Sequence, residues 1–229
     1  MFSKDQLEYT QLPLPDRQTL DDAEMLRRAE DYRDFMSKRH TVRDYTTQLV
    51  DQSVIKACVA AAGTAPSGAN HQPWHFVAIS DPAVKKQIRQ AAEEEERRFY
   101  AGGASDEWIK ALEPIGTNAD KPHLEDAPWL IVVFAQRYGM FDDGTRYKNY
   151  YVPESVGIAT GMLLTALHMA GLATLTHTPN PMKFLGELLG RPDSEKATMI
   201  ITIGHPSADA TIPAVAKMKK QLSDIMTLL

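Results

Sequence analysis

The sequence predicts a single α+β domain. Helical-period segments flank the strand-like runs and outnumber them. The run WLIVVFA at 129–135 is apolar without a break, as in a strand buried on both faces. No internal repeat or low-complexity linker divides the 229 residues, a length that suits one large domain.

Each element follows from its own pattern. Residues 1–20 hold Pro13, Pro15 and Asp16 and few periodic apolar positions, so they read as an arm that needs another surface, such as a second subunit, to lie on. Met25, Leu26, Ala29, Tyr32, Phe35 and Met36 recur at helical spacing and predict a helix ending near Lys38 or Arg39. Residues 42–45 read as extended. Val54, Ile55, Cys58, Val59 and Ala62 form the apolar side of a second helix over 53–62, capped by Asp51 or Ser53. A loop over 63–70 leads to a strand at 74–80. Asp81 as cap and Pro82 at the first position open a helix that runs to about Phe99. Gly102 and Gly103 break it. The mixed stretch 101–123, with Trp108, Ile109 and Leu112 as a short helix, reads as a lid. After the strand at 129–135, residues 151–170 are apolar almost all round. Such a helix is central or packs against another subunit, and Gly171 stops it. Residues 172–176 and 199–203 are further strands. Residues 213–229 form an extension without a domain of its own.

Composition excludes several classes. The net charge of −5 argues against nucleic acid as main partner, because phosphate binding needs a basic surface. The one cysteine, Cys58, allows no intrachain disulfide and no multi-cysteine metal site. It sits in an apolar helical stretch and reads as a small buried hydrophobe. The opening MFSKDQLEYT has no signal-peptide core, and no apolar run reaches the ~20 residues that span a bilayer. A cytoplasmic protein without membrane contact is expected.

Most motif searches fail: GxGxxG, P-loop, GxSxG and HExxH are all missing. His71 and His75 are four apart, but at a loop-to-strand junction that spacing does not bring side chains together, so no metal is expected. Two segments stand out. Lys38-Arg39-His40-Thr41-Val42-Arg43 follows a helix, and clustered arginines there can grip a phosphate. The loop 63–70, followed by Gln72-Pro73-Trp74, is rich in small residues that let backbone approach a ligand. On spacing alone, a solvated basic turn and an ordinary helix-to-strand loop are the better readings. Trp74 and Trp129 read as core, and Asn149, Tyr150 and Tyr151 as subunit contacts.

Together, KRHTVRDY and TAPSGANHQPWHF, in this order with one helix between them, resemble the opening of the flavin nitroreductases. AAEEEERRFY, GTNADKP, NYYVPESVGIATGMLLTALHMAGLATLTHTP and LLGRP resemble the iodotyrosine deiodinase branch of that superfamily, a likeness that runs from about residue 25 to the C-terminus. The resemblance implies a nitroreductase-like fold over 1–229, with a central, mostly antiparallel sheet flanked by helices. It also implies a homodimer that exchanges the N- and C-terminal arms and holds FMN at its interface.

The resemblance further implies site roles. Arg39, His40, Thr41, Val42 and Arg43 hold the FMN phosphate and pyrimidine edge; His40 stands where many members have a second Arg. Ser67 and Gly68 contact FMN, and the Ala69 amide meets the substrate phenolate. Thr176, His177 and Thr178 match a segment whose last Thr donates to flavin N5. Lys219, or its neighbour Lys220, takes the place of a phosphate-binding Arg. Glu96, Tyr100 and Lys121 clamp the amino-acid zwitterion. Elementary chemistry agrees, since a carboxylate suits an ammonium, and a cation with a phenol suits a carboxylate. On spacing alone, Glu93 to Arg98 is a solvated helix face with Glu93–Arg97 and Glu94–Arg98 pairs. The implied activity is removal of halide from a halotyrosine by one-electron steps from reduced FMN, with the lid closed and an unidentified electron donor. The alternatives are an NAD(P)H-dependent nitro- or quinone reductase, a flavin-destroying relative and a non-catalytic flavin or halotyrosine binder.

Overall fold

The computed structural model describes residues 9–229, so the first eight residues of the expected arm lie outside it. In chain order the elements are α1 (Asp22–Ser37), α2 (Gln52–Gly63), β1 (Trp74–Ile79), α3 (Pro82–Arg98), α4 (Asp106–Leu112), α5 (His123–Asp126), β2 (Trp129–Gln136), β3 (Tyr138–Met140), β4 (Arg146–Lys148), α6 (Val152–Met169), β5 (Ala173–His177), α7 (Lys183–Leu188), β6 (Glu195–Gly204) and α8 (Leu222–Ile225). Strands β1, β2, β6 and β5 form an antiparallel sheet in that spatial order, and β3 and β4 form a separate hairpin. A parallel bridge from Thr41 to Thr174 ties the 38–43 segment to the outer edge of β5.

The unbroken apolar run behaves as its sequence dictates. Side chains alternate across a strand, so Ile131 and Val133 join one core while Leu130, Val132 and Phe134 join another. The first core lies under α2 and α6, with Ile55, Cys58, Val156, Leu163 and Leu167. The second lies under α3, α5 and α7, with Ile88, Ala92, Leu124 and Leu185. All five of those β2 side chains are fully buried. At about 1.5–3 kcal/mol for each, β2 is the largest single contributor to sheet burial.

Several boundaries differ from expectation for local reasons. Helix α1 starts at Asp22 because Asp21 caps it, accepting from the Glu24 amide at 2.8 Å. Strand β6 starts at Glu195, not 199, because its polar first turn is fixed by charge: Glu195 pairs with Arg191 at 2.7 Å and faces Gln136. The β3–β4 hairpin and α7 are too short for periodicity to reveal. Helix α6 does not bury all its faces. Ser155, Val156, Ala159, Thr160, Leu163 and Leu167 turn inward, while Ile158 and Met169 are exposed. No helix among the described residues is long and apolar enough to cross a membrane.

Candidate active site

Three pieces of chain meet the end of β5, making a site of four segments. Thr176, His177 and Thr178 come from its last turn, and Thr41 and Arg43 from the segment bridged to it. The C-terminal end of α3 supplies Glu96 and Tyr100, and the segment before α5 supplies Lys121. They line a cavity of about 330 Å³, covered in part by Phe99 and by Trp108, Leu112 and Ile115 from the 101–123 stretch.

Helix α3 aims its part of the site. Asp81 caps it by accepting from the Ala83 and Val84 amides at 2.7 and 3.4 Å, and Pro82 starts it without an amide to satisfy. Ile88 and Ala92 bury one face. Glu96 and Tyr100 then fall on adjacent turns, the second inside a π-helical turn over Phe99–Gly103. That turn ends where Gly102 takes φ +118°, a conformation that strains any other residue.

The charged groups already partner one another. Lys121 Nζ lies 3.3 Å from Glu96 Oε2, donates to Thr117 Oγ1 at 3.0 Å and also donates to the Asn118 carbonyl. Tyr100 donates its hydroxyl to the Thr117 carbonyl at 3.3 Å. Burial lowers the Lys121 pKa, opposed by the Glu96 carboxylate beside it. Burial, and then Glu96, push the Tyr100 phenol up. His177 is buried, with Nε2 lacking a hydrogen bond and lying 3.8 Å from Glu96 Oε1. Its ring meets that of buried His123 edge-on at 5.9 Å. Burial drives His177 down to about 3 and His123 to about 4, with Lys121 adding to both shifts. Both imidazoles are therefore neutral at pH 7.

The structure separates the expected site residues into two groups. Thr41, Arg43, Glu96, Tyr100, Lys121, Thr176, His177 and Thr178 share the cavity. Arg39, His40, Val42, Ser67, Gly68, Ala69 and Lys219 do not line it. The Val42 amide is spent on the Thr174 carbonyl at 3.1 Å, which fixes the segment to the sheet. Ser67 Oγ accepts from the Gln72 amide at 2.9 Å, the Gly68 amide donates to Ser155 Oγ at 3.2 Å, and Ala69 holds φ +50°. Arg39 borders a shallow apolar groove between α1 and α6, with Met36, Ile158, Met162 and Met169. Lys219 and Lys220 are exposed near the C-terminus.

The carboxylates of α3 also pair differently from expectation. Glu94–Arg98 forms at 3.1 Å, but Glu93 turns away from Arg97 to Arg89 at 2.8 Å. Nothing in the sequence marks Glu93, His123 or Thr117 as site residues; Glu93 reads there only as the partner of Arg97. A carboxylate in a run of four has nothing to single it out, and the other two act only through the fold. His71, weighed as a ligand, faces Asn149 Oδ1 at 3.1 Å, while His75 lies on β1 opposite Phe134.

The nitroreductase family matches residues 36–205. Iodotyrosine deiodinase of Haliscomenobacter hydrossis is 50% identical over 197 residues, covering 86% of this chain and 89% of the relative. The chain belongs to the nitroreductase family, in its iodotyrosine deiodinase branch. Iodotyrosine deiodinase 1 of Homo sapiens is 42% identical over 204 residues, covering 89% of this chain and 70% of that one. A crystal structure of oxidized iodotyrosine deiodinase bound to FMN and 3-iodo-L-tyrosine superposes with a TM-score of 0.70 at 30% identity, covering 77% of this chain and 90% of the other. A BluB-like flavoprotein from Clostridium difficile, at TM-score 0.67 and 21% identity, shares the nitroreductase fold. The antiparallel sheet with helices on both faces is that fold in this chain.

Proposed function

We propose that this chain is an FMN-dependent reductive dehalogenase of halotyrosines. One observation carries the reading at the site: a carboxylate, a phenol and an ammonium (Glu96, Tyr100, Lys121) converge on the cavity that Thr176 and Thr178 border. The fit to FMN rests on the donor set. Arg39 and Arg43 make no ion pair with any described residue, and Thr41, Thr176 and Thr178 add hydroxyls. Arg39, Arg43 and Lys219 would neutralise the phosphate, with His40 and Val42 beside them, and Thr178 would donate to the flavin ring. When bound and reduced, FMN supplies the electrons that release halide from the ring.

The protein's own groups bind and orient. Glu96 takes the substrate ammonium, and Lys121 and Tyr100 take its carboxylate. The substrate thus replaces the Glu96–Lys121 contact with two charge-matched ones, so no buried charge is left alone. The 101–123 stretch acts as a lid, and its Trp108 packs edge-on against Phe99 at 4.9 Å between rings over the cavity.

The second group of residues points to a homodimer. Ser67, Gly68 and Ala69 enter the cavity of a second copy, the Ala69 amide meeting the phenolate. The α6 face with Ile158 and Met169, and the exposed Met218, Leu222, Ile225 and Met226 of the terminal extension, supply the apolar contact. The buried thiol of Cys58 suits work in the cytoplasm.

The test is anaerobic reduction of the FMN-loaded protein with 3-iodotyrosine present. Stoichiometric iodide release is expected. Rapid NAD(P)H-driven reduction of nitroaromatics with no iodide release would instead favour a general reductase. Tight halotyrosine binding without turnover under any reductant would make it a binding protein.

A further inference from the structure

We infer that Glu93 is a positioning residue: its carboxylate pins the Lys121 backbone to α3 and so sets where the clamp cation stands, whether or not the lid is closed. The inference rests on reading Lys121 as the partner of the substrate carboxylate. Five polar residues of α3 and its continuation, at 85, 89, 93, 96 and 100, are spaced by four, four, three and four and therefore share one stripe. The last two face the cavity. The first three grip the segment that carries Lys121.

The grip is fully partnered. Lys85, buried, donates Nζ to the carbonyls of Glu125 and Ala127 at 2.9 and 2.7 Å. Arg89 bridges Glu93 Oε1 at 2.8 Å and Glu125 Oε2 at 3.2 Å. Glu93 Oε1 then accepts from the Lys121 amide at 2.8 Å. A charged acceptor strengthens that hydrogen bond, and Arg89 with the Lys121 amide holds the Glu93 carboxyl below the usual range against the opposing effect of burial. Lys121 is thus tied by its backbone to the helix that carries Glu96, three residues further along. By contrast, the amides of Thr117, Asn118 and Ala119 have no partner among the described residues. Lid motion can stop at residue 120 and leave the Lys121 backbone, and with it the root of the cation, in place, while Nζ exchanges its Thr117 and Asn118 acceptors for the substrate.

Amide exchange by NMR on the unaltered, FMN-loaded protein without halotyrosine tests this directly. The Lys121 amide should exchange at least about ten-fold more slowly than those of Thr117, Asn118 and Ala119. Equal rates overturn the inference. In binding titrations, Glu93→Ala should weaken 3-iodotyrosine about ten-fold while affinity for 2-iodophenol, which has no zwitterion, stays within about two-fold. Glu93→Gln keeps an acceptor oxygen and should stay within about three-fold of the parent for both ligands. A ten-fold loss with Gln, or equal losses for both ligands with Ala, overturns the positioning role. If Ala does not fold, the exchange rates and the Gln variant decide. Lys121→Ala separates the two readings: if it leaves 3-iodotyrosine affinity unchanged, the clamp falls, while exchange at residue 121 still judges Glu93.

Discussion

Glu96 and Lys121 each depend on the other in the free protein. Both side chains are largely buried, at 14% and 3% exposure, and their 3.3 Å contact is what makes either charge tolerable there. Removing one partner leaves the other uncompensated. Lys121→Ala is expected to cost about 2–4 kcal/mol in halotyrosine binding, measured by titration, and to leave affinity for a halophenol without the amino-acid group nearly intact. The two buried imidazoles give a second outcome. His177 and His123 titrate at about 3 and about 4 in the folded chain, against about 6.5 when unfolded. The unfolded chain binds more protons between those values, so stability is full above pH 6.5 and falls as the pH drops through the window. At pH 5 each histidine should cost about 2 kcal/mol. Lys121, Arg43, Arg89, Glu93 and Glu96 are the charged groups that surround the pair. Urea unfolding at pH 7 and pH 5 measures the slope, and a His123→Gln, His177→Gln chain should lose most of it. An unchanged slope would mean that these rings are not buried neutral.

Helix α3 joins the cap, the core and the site in one element. Asp81 and Pro82 were legible as its start because capping chemistry is local, and the glycines at its end marked the break. Asp81→Ala should lower stability by about 1 kcal/mol, read as a shift in the urea midpoint without a change in slope. What could not be read was which carboxylate faces where. Glu93, Glu94, Glu95 and Glu96 are chemically alike; Arg89 one turn back and the Lys121 amide hold Glu93, while the Lys121 ammonium meets Glu96. The loop at Gly68 shows the same division. Its small residues were visible as a place where backbone comes close, but the neighbour is Tyr150, far away in sequence. A Cβ at residue 68 would sit 2.6 Å from the Tyr150 carbonyl oxygen. Gly68→Ala must therefore move the 67–70 loop away from the Tyr150 backbone, and loss of bound flavin with a stability cost of about 1–3 kcal/mol is expected. Flavin absorbance after gel filtration checks the first effect and urea unfolding the second.

At the scale of the whole molecule, the sheet and its two cores accounted for most of what periodicity could find, because β2, α2 and α6 bury apolar side chains in regular patterns. The site was legible only as fragments, since its residues come from positions as far apart as Thr41 and Thr178 and half of the expected set lies away from the cavity. That split has a physical consequence. A single chain exposes Ile158 at 46%, Met169 at 71% and Leu222 at 67%, and the first two line one apolar groove. It also leaves Arg39 at the edge of the same α6 groove, away from Arg43. In the proposed homodimer, a symmetric pair of chains packed through α6 would cover that groove and bring the 67–69 loop to the neighbouring cavity. Ile158→Glu puts a charge into that contact without touching the cavity or either core. It should convert the protein to monomer in sedimentation velocity at micromolar concentration, a shift of about 2 kcal/mol or more in association. Flavin should be lost in the same step, in proportion to the monomer fraction, because the cavity would then lack its second half. A monomer that retained flavin at full occupancy would show instead that Thr41, Arg43 and the β5 hydroxyls suffice within one chain, and the Ser67–Ala69 roles would have to be withdrawn.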